Sequence, residues 1–313
     1  MSDRVTALIT GAGGFVGRHL ARHLRSLGQE VHGLGRGEAP PDLQQFHRAD
    51  LLDVAATRRA IAAARPGAVY HLAAQSAVPQ SWDDPAGTVV NNLVGQINLL
   101  EAVRAEELDP VIVVAISSEV YGLVQPEDNP ISEDVPLRPV SPYAVSKAGQ
   151  DLLAYQYAMG RGMRIVRLRA FNHVGPGQSD RFAIASFARQ IAEIERGLRP
   201  PVVEVGDLTA ERDFSDVRDI VRAYVLAAEC GRPGEVYNVG SEAGRRVADV
   251  LEGLIGLSTV RVDVQQEVSR LRPADVPRLV CNAARLRSAT GWKPMIPFEE
   301  SLRDVLEDWR ARV

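Results

Sequence analysis

The stretch VTALITGAGGFVGRHLARHLRSLG, residues 5–28, decides the fold. It opens with VTALIT (5–10), an apolar run of the length of a buried strand. It closes with FVGRHLARHLRSLG (15–28), which has apolar residues at helical spacing and stops at Gly28. Between them Gly11, Gly14 and Gly17 make a G-x-x-G-x-x-G turn, and Phe15 and Val16 lead from it into the helix. Glycine permits the tight turn and lets backbone N–H groups approach a pyrophosphate, while the helix N-terminus faces the negative charge. A glycine turn with no ligand is the plain alternative. The strand before it and the helix after it favour a dinucleotide site.

Outward from this unit the pattern repeats. EVHGLG (30–35), QFHRAD (45–50), AVYHLA (68–73), PVIVVAISS (110–118) and RIVRLRA (164–170) read as strands. VAATRRAIAAARP (54–66), VVNNLVGQINLLEAVRAEEL (89–108) and residues 142–160 read as helices between them. The alternation predicts an α/β protein with a doubly wound (Rossmann) parallel sheet and helices on both faces. Beyond residue 172 the alternation loosens, and short strands and helices mix with frequent Pro and Gly. That predicts a smaller C-terminal α/β lobe over 172–313, after a dinucleotide-binding domain over 1–171. Helix 217–229 and strand 235–240 are expected to return to the main sheet.

The chain has 313 residues, of which 45% are hydrophobic and 24% charged, as in a globular enzyme. A net charge of −4 gives no pull toward nucleic acid or an anionic membrane. No apolar run approaches the length of a membrane span. Cys230 and Cys281 make no metal or redox spacing, and so few cysteines fit a reducing cytoplasm. No metal site is expected.

The end of the second strand distinguishes the nicotinamide cofactors. An acid there would hold a ribose 2′-OH and repel a 2′-phosphate. Here the strand ends GLGRG, with Arg36 on the loop. Arginine's planar fork suits a phosphate, which favours NADP(H) and leaves NAD(H) possible. Asp50 and Leu51, after the third strand, are placed for the adenine. Leu72, Ala73, Ala74 and Gln75 of HLAAQS lie where small residues let a dinucleotide pass closely.

SPYAVSKAGQD (141–151) holds Lys147, one of only two lysines in the chain. Ser141 suits the N-cap and Pro142 the first helical position, so Tyr143 and Lys147 share one helix face. A phenol with a pKa of about 10 is a poor acid–base catalyst, and a nearby ammonium would lower it. At the end of the fifth strand, AISSEVYG supplies Ser117, Ser118 and Glu119, where ligands bind in open α/β sheets. A serine there can polarise a carbonyl while Tyr143 moves a proton.

With TGAGGFVG, HLAAQS, SSEVYG and YAVSK in one chain, the sequence resembles the extended short-chain dehydrogenase/reductases that act on nucleotide sugars, over nearly its whole length. The resemblance implies that Ser117, Tyr143 and Lys147 are catalytic. FNHVGPGQ (171–178), GDLTAERDFSDVRD (206–219) and RPADVPRLVCNAARLRSATGWKP (272–294) are similar to the GDP-sugar branch and its 4-keto-6-deoxy-sugar reductases. This implies a GDP-linked 4-keto-6-deoxy sugar as substrate, bound mainly by the 172–313 lobe. Ser118, Asn172, Arg212, Arg272 and Asp275 would contact it. The related dehydratases carry a long arginine-rich loop after the second strand, where this chain has the short GRGEAPPDLQQ. The short loop implies a homodimer rather than a tetramer, through a four-helix interface of helices 89–108 and 142–160. Glu119 matches the glutamate that dehydratases use as base at C5, so dehydration stays open, as does 4-epimerisation.

Overall fold

A computed structural model describes residues 6–267 and 276–313. The first half runs β1 (Thr6–Thr10), α1 (Phe15–Ser26), β2 (Glu30–Gly35), β3 (Gln45–Arg48), α2 (Val54–Ala64), β4 (Ala68–His71), α3 (Val78–Asp83), α4 (Pro85–Ala105), β5 (Val111–Ser117), α5 (Pro142–Arg161) and β6 (Ile165–Ala170). The second half runs β7 (Asn172–Val174), α6 (Ala183–Glu195), β8 (Val202–Val205), β9 (Glu211–Asp216), α7 (Val217–Cys230), β10 (Val236–Val239), β11 (Gly244–Arg246), α8 (Val247–Gly256), β12 (Asp263–Gln266), β13 (Arg278–Leu279), α9 (Ala284–Thr290) and α10 (Phe298–Arg310).

Among the described residues, seven strands form one sheet in the order β10-β6-β5-β4-β1-β2-β3, parallel at every pairing. The order reverses between β1 and β4, and a crevice at such a switch point is where open α/β sheets bind ligands. The strands are near-continuous apolar runs because helices cover both faces. Thus Leu8, Ile9, Val69, Val113, Val114 and Val166 are fully buried, each contributing about 1.5–3 kcal/mol. As expected, β10 returns across the lobe sequence to pair with β6, from Val236↔Arg167 to Val239↔Ala170.

A second core, distinct from that of the sheet, holds Ile184, Phe187, Val203, Val205, Leu251 and Leu302. It lies under two small sheets, β11-β9-β13 with β7 beside β9, and β12-β8.

Two details differ from the sequence reading. Helix α4 begins at Pro85 instead of residue 89, because the Asp84 carboxylate caps it by accepting from Gly87 N at 2.8 Å. The short α3 lies in a stretch to which the sequence reading assigned no element, and it forms without a side-chain cap. Its place is against α4 and α5, so packing rather than local propensity makes it.

Candidate active site

The chemistry-bearing residues meet at the carboxyl end of β5. Ser117 ends that strand and caps the 3₁₀ turn that follows, its Oγ accepting from Glu119 N at 3.2 Å. Across from it, Ser141 Oγ accepts from Ala144 N at 3.1 Å and starts α5, placing Tyr143 in the first turn. The Tyr143 hydroxyl stands near enough to the Ser117 side chain for that contact to favour its ionised form. Lys147 follows one turn later on the same face, and its Nζ donates to Ala115 O at 2.9 Å. Ser117, Tyr143 and Lys147 are therefore brought together from two elements.

Burial controls the protonation of this group. It pushes the Tyr143 phenol up to about 12, opposed by the contact with Ser117 and reinforced by the charge of Glu119. It pushes Lys147 down to about 7. Sequence reasoning had the ammonium lower the tyrosine pKa. In the fold the loss of water raises it instead, and the ammonium is engaged by the Ala115 carbonyl.

On the cofactor side, Gly11 has a φ of +71°, and a Cβ there would stand 2.9 Å from the backbone of Ala73. At Gly17 a Cβ would lie 2.4 Å from Gly11 O, so the helix sits directly under the turn. The N-cap of α1 is Gly14, with no side chain bonded to the helix amides. A cradle this close to backbone, ending at uncapped amides, fits a dinucleotide pyrophosphate. Phe15 stacks on His173 at 6.1 Å between ring centroids, and Val16 packs on the core.

The loop after β4 is held by side chains that sequence reasoning missed. Asn92 of α4 accepts from Gln75 N at 2.8 Å and donates to Gln75 O at 3.1 Å and to Ser146 Oγ at 2.8 Å. Ser146 in turn donates to Tyr143 O at 2.7 Å, which couples the 72–75 loop to the first turn of α5. Ala73 N donates to Thr10 Oγ1 at 3.2 Å, and Thr10 Oγ1 pairs with His71 Nδ1 at 2.8 Å. Burial, helped by Lys147, lowers His71 to about 3, so its ring is neutral. Leu72 and Ala74 are half-buried along this path. Arg36 is exposed and stands 3.5 Å from Asp50, while Leu51 turns its side chain into the core beside Gly95.

Beside this group a cavity of about 590 Å³ opens between the sheet and the lobe. Glu119, Val140 and Ser141 line its sheet side, and Asn172, Glu204 and Arg212 stand on its lobe side. The unanticipated α3 contributes Val78, Pro79 and Trp82. Arg212 is 7% exposed and donates to Glu211 O at 3.0 Å. Ser118, expected as a substrate contact, is 2% exposed and is not among the residues lining the cavity, because the 3₁₀ turn buries it. Arg272 and Asp275 lie outside the described residues. Among the described residues there is no cluster of metal-ligating side chains and no helix long and apolar enough to cross a membrane.

Comparison with known proteins gives the same picture over the whole chain. Residues 8–305 match the family model described as GDP-mannose 4,6 dehydratase. The chain is 39% identical over 306 residues to GDP-6-deoxy-D-mannose reductase of Pseudomonas aeruginosa, covering 97% of each. It is 33% identical to GDP-mannose 4,6 dehydratase 2 of Arabidopsis thaliana, over 98% of this chain and 87% of that one. The solved structure of RMD from Pseudomonas aeruginosa complexed with NADPH superposes with a TM-score of 0.89 at 38% identity, over 99% of this chain and 100% of that chain.

Proposed function

Because the chain belongs to the GDP-mannose 4,6 dehydratase family of extended short-chain dehydrogenase/reductases, we propose that it uses NADPH to reduce the C4 ketone of GDP-4-keto-6-deoxy-D-mannose to GDP-D-rhamnose (GDP-6-deoxy-D-mannose). The observation that carries this reading is the phenol of Tyr143, pushed up to about 12 beside Ser117. A tyrosine protonated throughout the neutral range is set to give a proton, which is what ketone reduction requires.

NADPH, when bound at this site, would supply the hydride that C4 requires. Ser117 donates a hydrogen bond to the ketone oxygen and polarises it, and Tyr143 delivers its proton as that oxygen becomes an alcohol. Lys147, fixed by Ala115 O, holds the cofactor ribose. The amides at the start of α1, residues 15–17, would take the pyrophosphate, within a turn that Gly11 and Gly14 shape while donating their own amides to Leu34 O and Gly11 O; Arg36 would take the 2′-phosphate and Asp50 the adenine end. Asn172 and Arg212 meet the substrate diphosphate. In this reading residues 1–171, joined by 217–240, carry the cofactor, and the rest of 172–313 carries the nucleotide sugar.

Dehydration is the second reading, favoured by Glu119 on the cavity wall, where a base for C5 would stand. The two separate cleanly. With NADPH and the 4-keto sugar, a reductase oxidises one NADPH per sugar reduced, followed by the loss of NADPH absorbance. Conversion of GDP-mannose alone, with no net change in NADPH, would instead establish a dehydratase.

A homodimer completes the reading. Val90 and Val94 on α4, with Val145, Leu152, Tyr155 and Met159 on α5, are apolar and exposed at helical spacing. A second copy would cover them in a four-helix interface. The two cysteines are unpaired, in keeping with a cytoplasmic location.

A further inference from the structure

We propose that a second cavity, which shares only Phe214 with the candidate active site, binds a small organic anion: a carboxylate or phosphate monoester carried on an apolar ring. The cavity has a volume of about 310 Å³, at the lower end of the roughly 300–1,000 Å³ usual for ligand pockets. Phe214 of β9 is the one described residue that lines both cavities. The rest of the wall comes from elements that carry none of the proposed catalytic residues. Ser241, Ala243 and Arg245 lie between β10 and the end of β11, and the segment from Pro294 to Glu299 leads into α10.

Several groups on this wall favour negative charge. The Arg245 guanidinium lies over the Phe298 ring, 4.4 Å from its centre. Its hydrogen bond is a long one, to Ala243 O at 3.4 Å, and among the described residues no carboxylate pairs with it. Its neighbour Arg246, by contrast, donates to Asp249 Oδ2 at 3.0 Å. Phe298 opens α10, a helix of 13 residues with no side-chain cap. Glu300 N and Ser301 N both donate to Pro297 O, which leaves the amides of Phe298 and Glu299 for a ligand. Ser215 also lines the cavity and is 3% exposed, and its buried Oγ has no hydrogen-bond partner among the described residues. An unpaired buried hydroxyl is costly, and an oxygen of a bound anion would accept from it.

The carboxylates of the lining offset this only in part. Asp216 is engaged inside the protein: Oδ1 accepts from Arg218 N and Nε, each at 2.8 Å, and Oδ2 accepts from Arg218 Nη2 at 2.8 Å and Ser301 Oγ at 2.7 Å. Glu299, exposed in the first turn of α10, opposes an anion. Phe214, Pro294, Met295, Ile296, Pro297 and Phe298 give the cavity an apolar side. A bare ion would leave that side in water, whereas a ring carrying the anion covers it. The charged end would meet the planar fork of Arg245, which suits the paired oxygens of a carboxylate or a phosphate.

The test is isothermal titration calorimetry of the full chain with phenyl phosphate, benzoate and inorganic phosphate. GDP and NADPH are present in excess, so that the candidate active site is filled. A ring anion should bind at least about tenfold more tightly than inorganic phosphate, and the tighter of the two tells phosphate monoester from carboxylate. Arg245→Leu should weaken binding about 10- to 100-fold and Ser215→Ala about 2- to 10-fold. Glu299→Gln, which removes the opposing charge, should tighten it about 2- to 5-fold. The opposite signs at Ser215 and Glu299 decide the matter even where Arg245→Leu perturbs folding. No binding of either ring anion, or affinities that these substitutions leave unchanged, would overturn the site. Binding that disappears when GDP or NADPH is added would also overturn it, because the anion would then occupy the site already described.

Discussion

At the end of β5, Tyr143 and Lys147 are 8% and 5% exposed, while across the cavity the side chain of Glu204 keeps 41% of its surface. The first wall is dry, and its dryness moves pKa values by enough to set which group carries a proton. The second is wet and offers hydrogen-bond acceptors and donors to a ligand. The dry wall also rests on a buried ion-pair network. Beneath it Asp151, one turn beyond Lys147, is gripped by Arg167 at 2.8 Å and Arg169 at 2.6 Å, all three buried. Arg169 continues to Tyr121 at 2.9 Å, and Tyr121 donates to Asn238 of β10 at 2.6 Å. In the proposed function, chemistry falls on the buried wall and recognition on the exposed one.

This contrast breaks if substitutions on the dry wall behave like those on the wet one. The largest effect is expected from Tyr143→Phe, which removes the proton donor and should cut kcat by about 10²- to 10⁴-fold with little change in GDP affinity. Steady-state reduction alongside calorimetry checks both halves. Asp151→Ala should leave two buried guanidinium groups without their anion and cost about 3–5 kcal/mol, read from urea unfolding. A loss under 1 kcal/mol would mean that water reaches this wall. The smallest effect is in pH. The protonated Lys147 is the form that donates to a ribose, and the free protein holds it at about 7. NADPH binding should therefore weaken as pH rises through that value, by at most about tenfold per pH unit. Lys147→Met should flatten that dependence, and an unchanged slope in the variant would assign the titration to another group.

Much of the dry wall was legible in the chain. The glycine turn, the strands, and the Ser117–Tyr143–Lys147 group follow from local rules of spacing and capping, because each is set by residues within a few positions of one another. The wet wall was less legible. Glu204 is an ordinary glutamate in a four-residue strand, and only the burial of Val203 and Val205 turns it inward. Trp82 reaches the cavity from a helix that no local signal announces. Asn92 and His71 became visible as supports only when hydrogen bonds spanning 17 and 61 positions closed.

By itself the sequence determined that Ser117, Tyr143 and Lys147 would be brought to one place beside a glycine turn shaped for a dinucleotide. Short-range geometry, a turn that needs glycine and a helix face that repeats every four residues, is written in neighbouring letters. The direction in which the Tyr143 and Lys147 pKa values move was decided by the tertiary structure. Lys147 beside Tyr143 on the helix promised a lowered phenol pKa. Packing α5 against β5 removed the water from both and gave the ammonium to Ala115 O. Desolvation depends on everything that surrounds a group, and that is assembled only when distant segments meet.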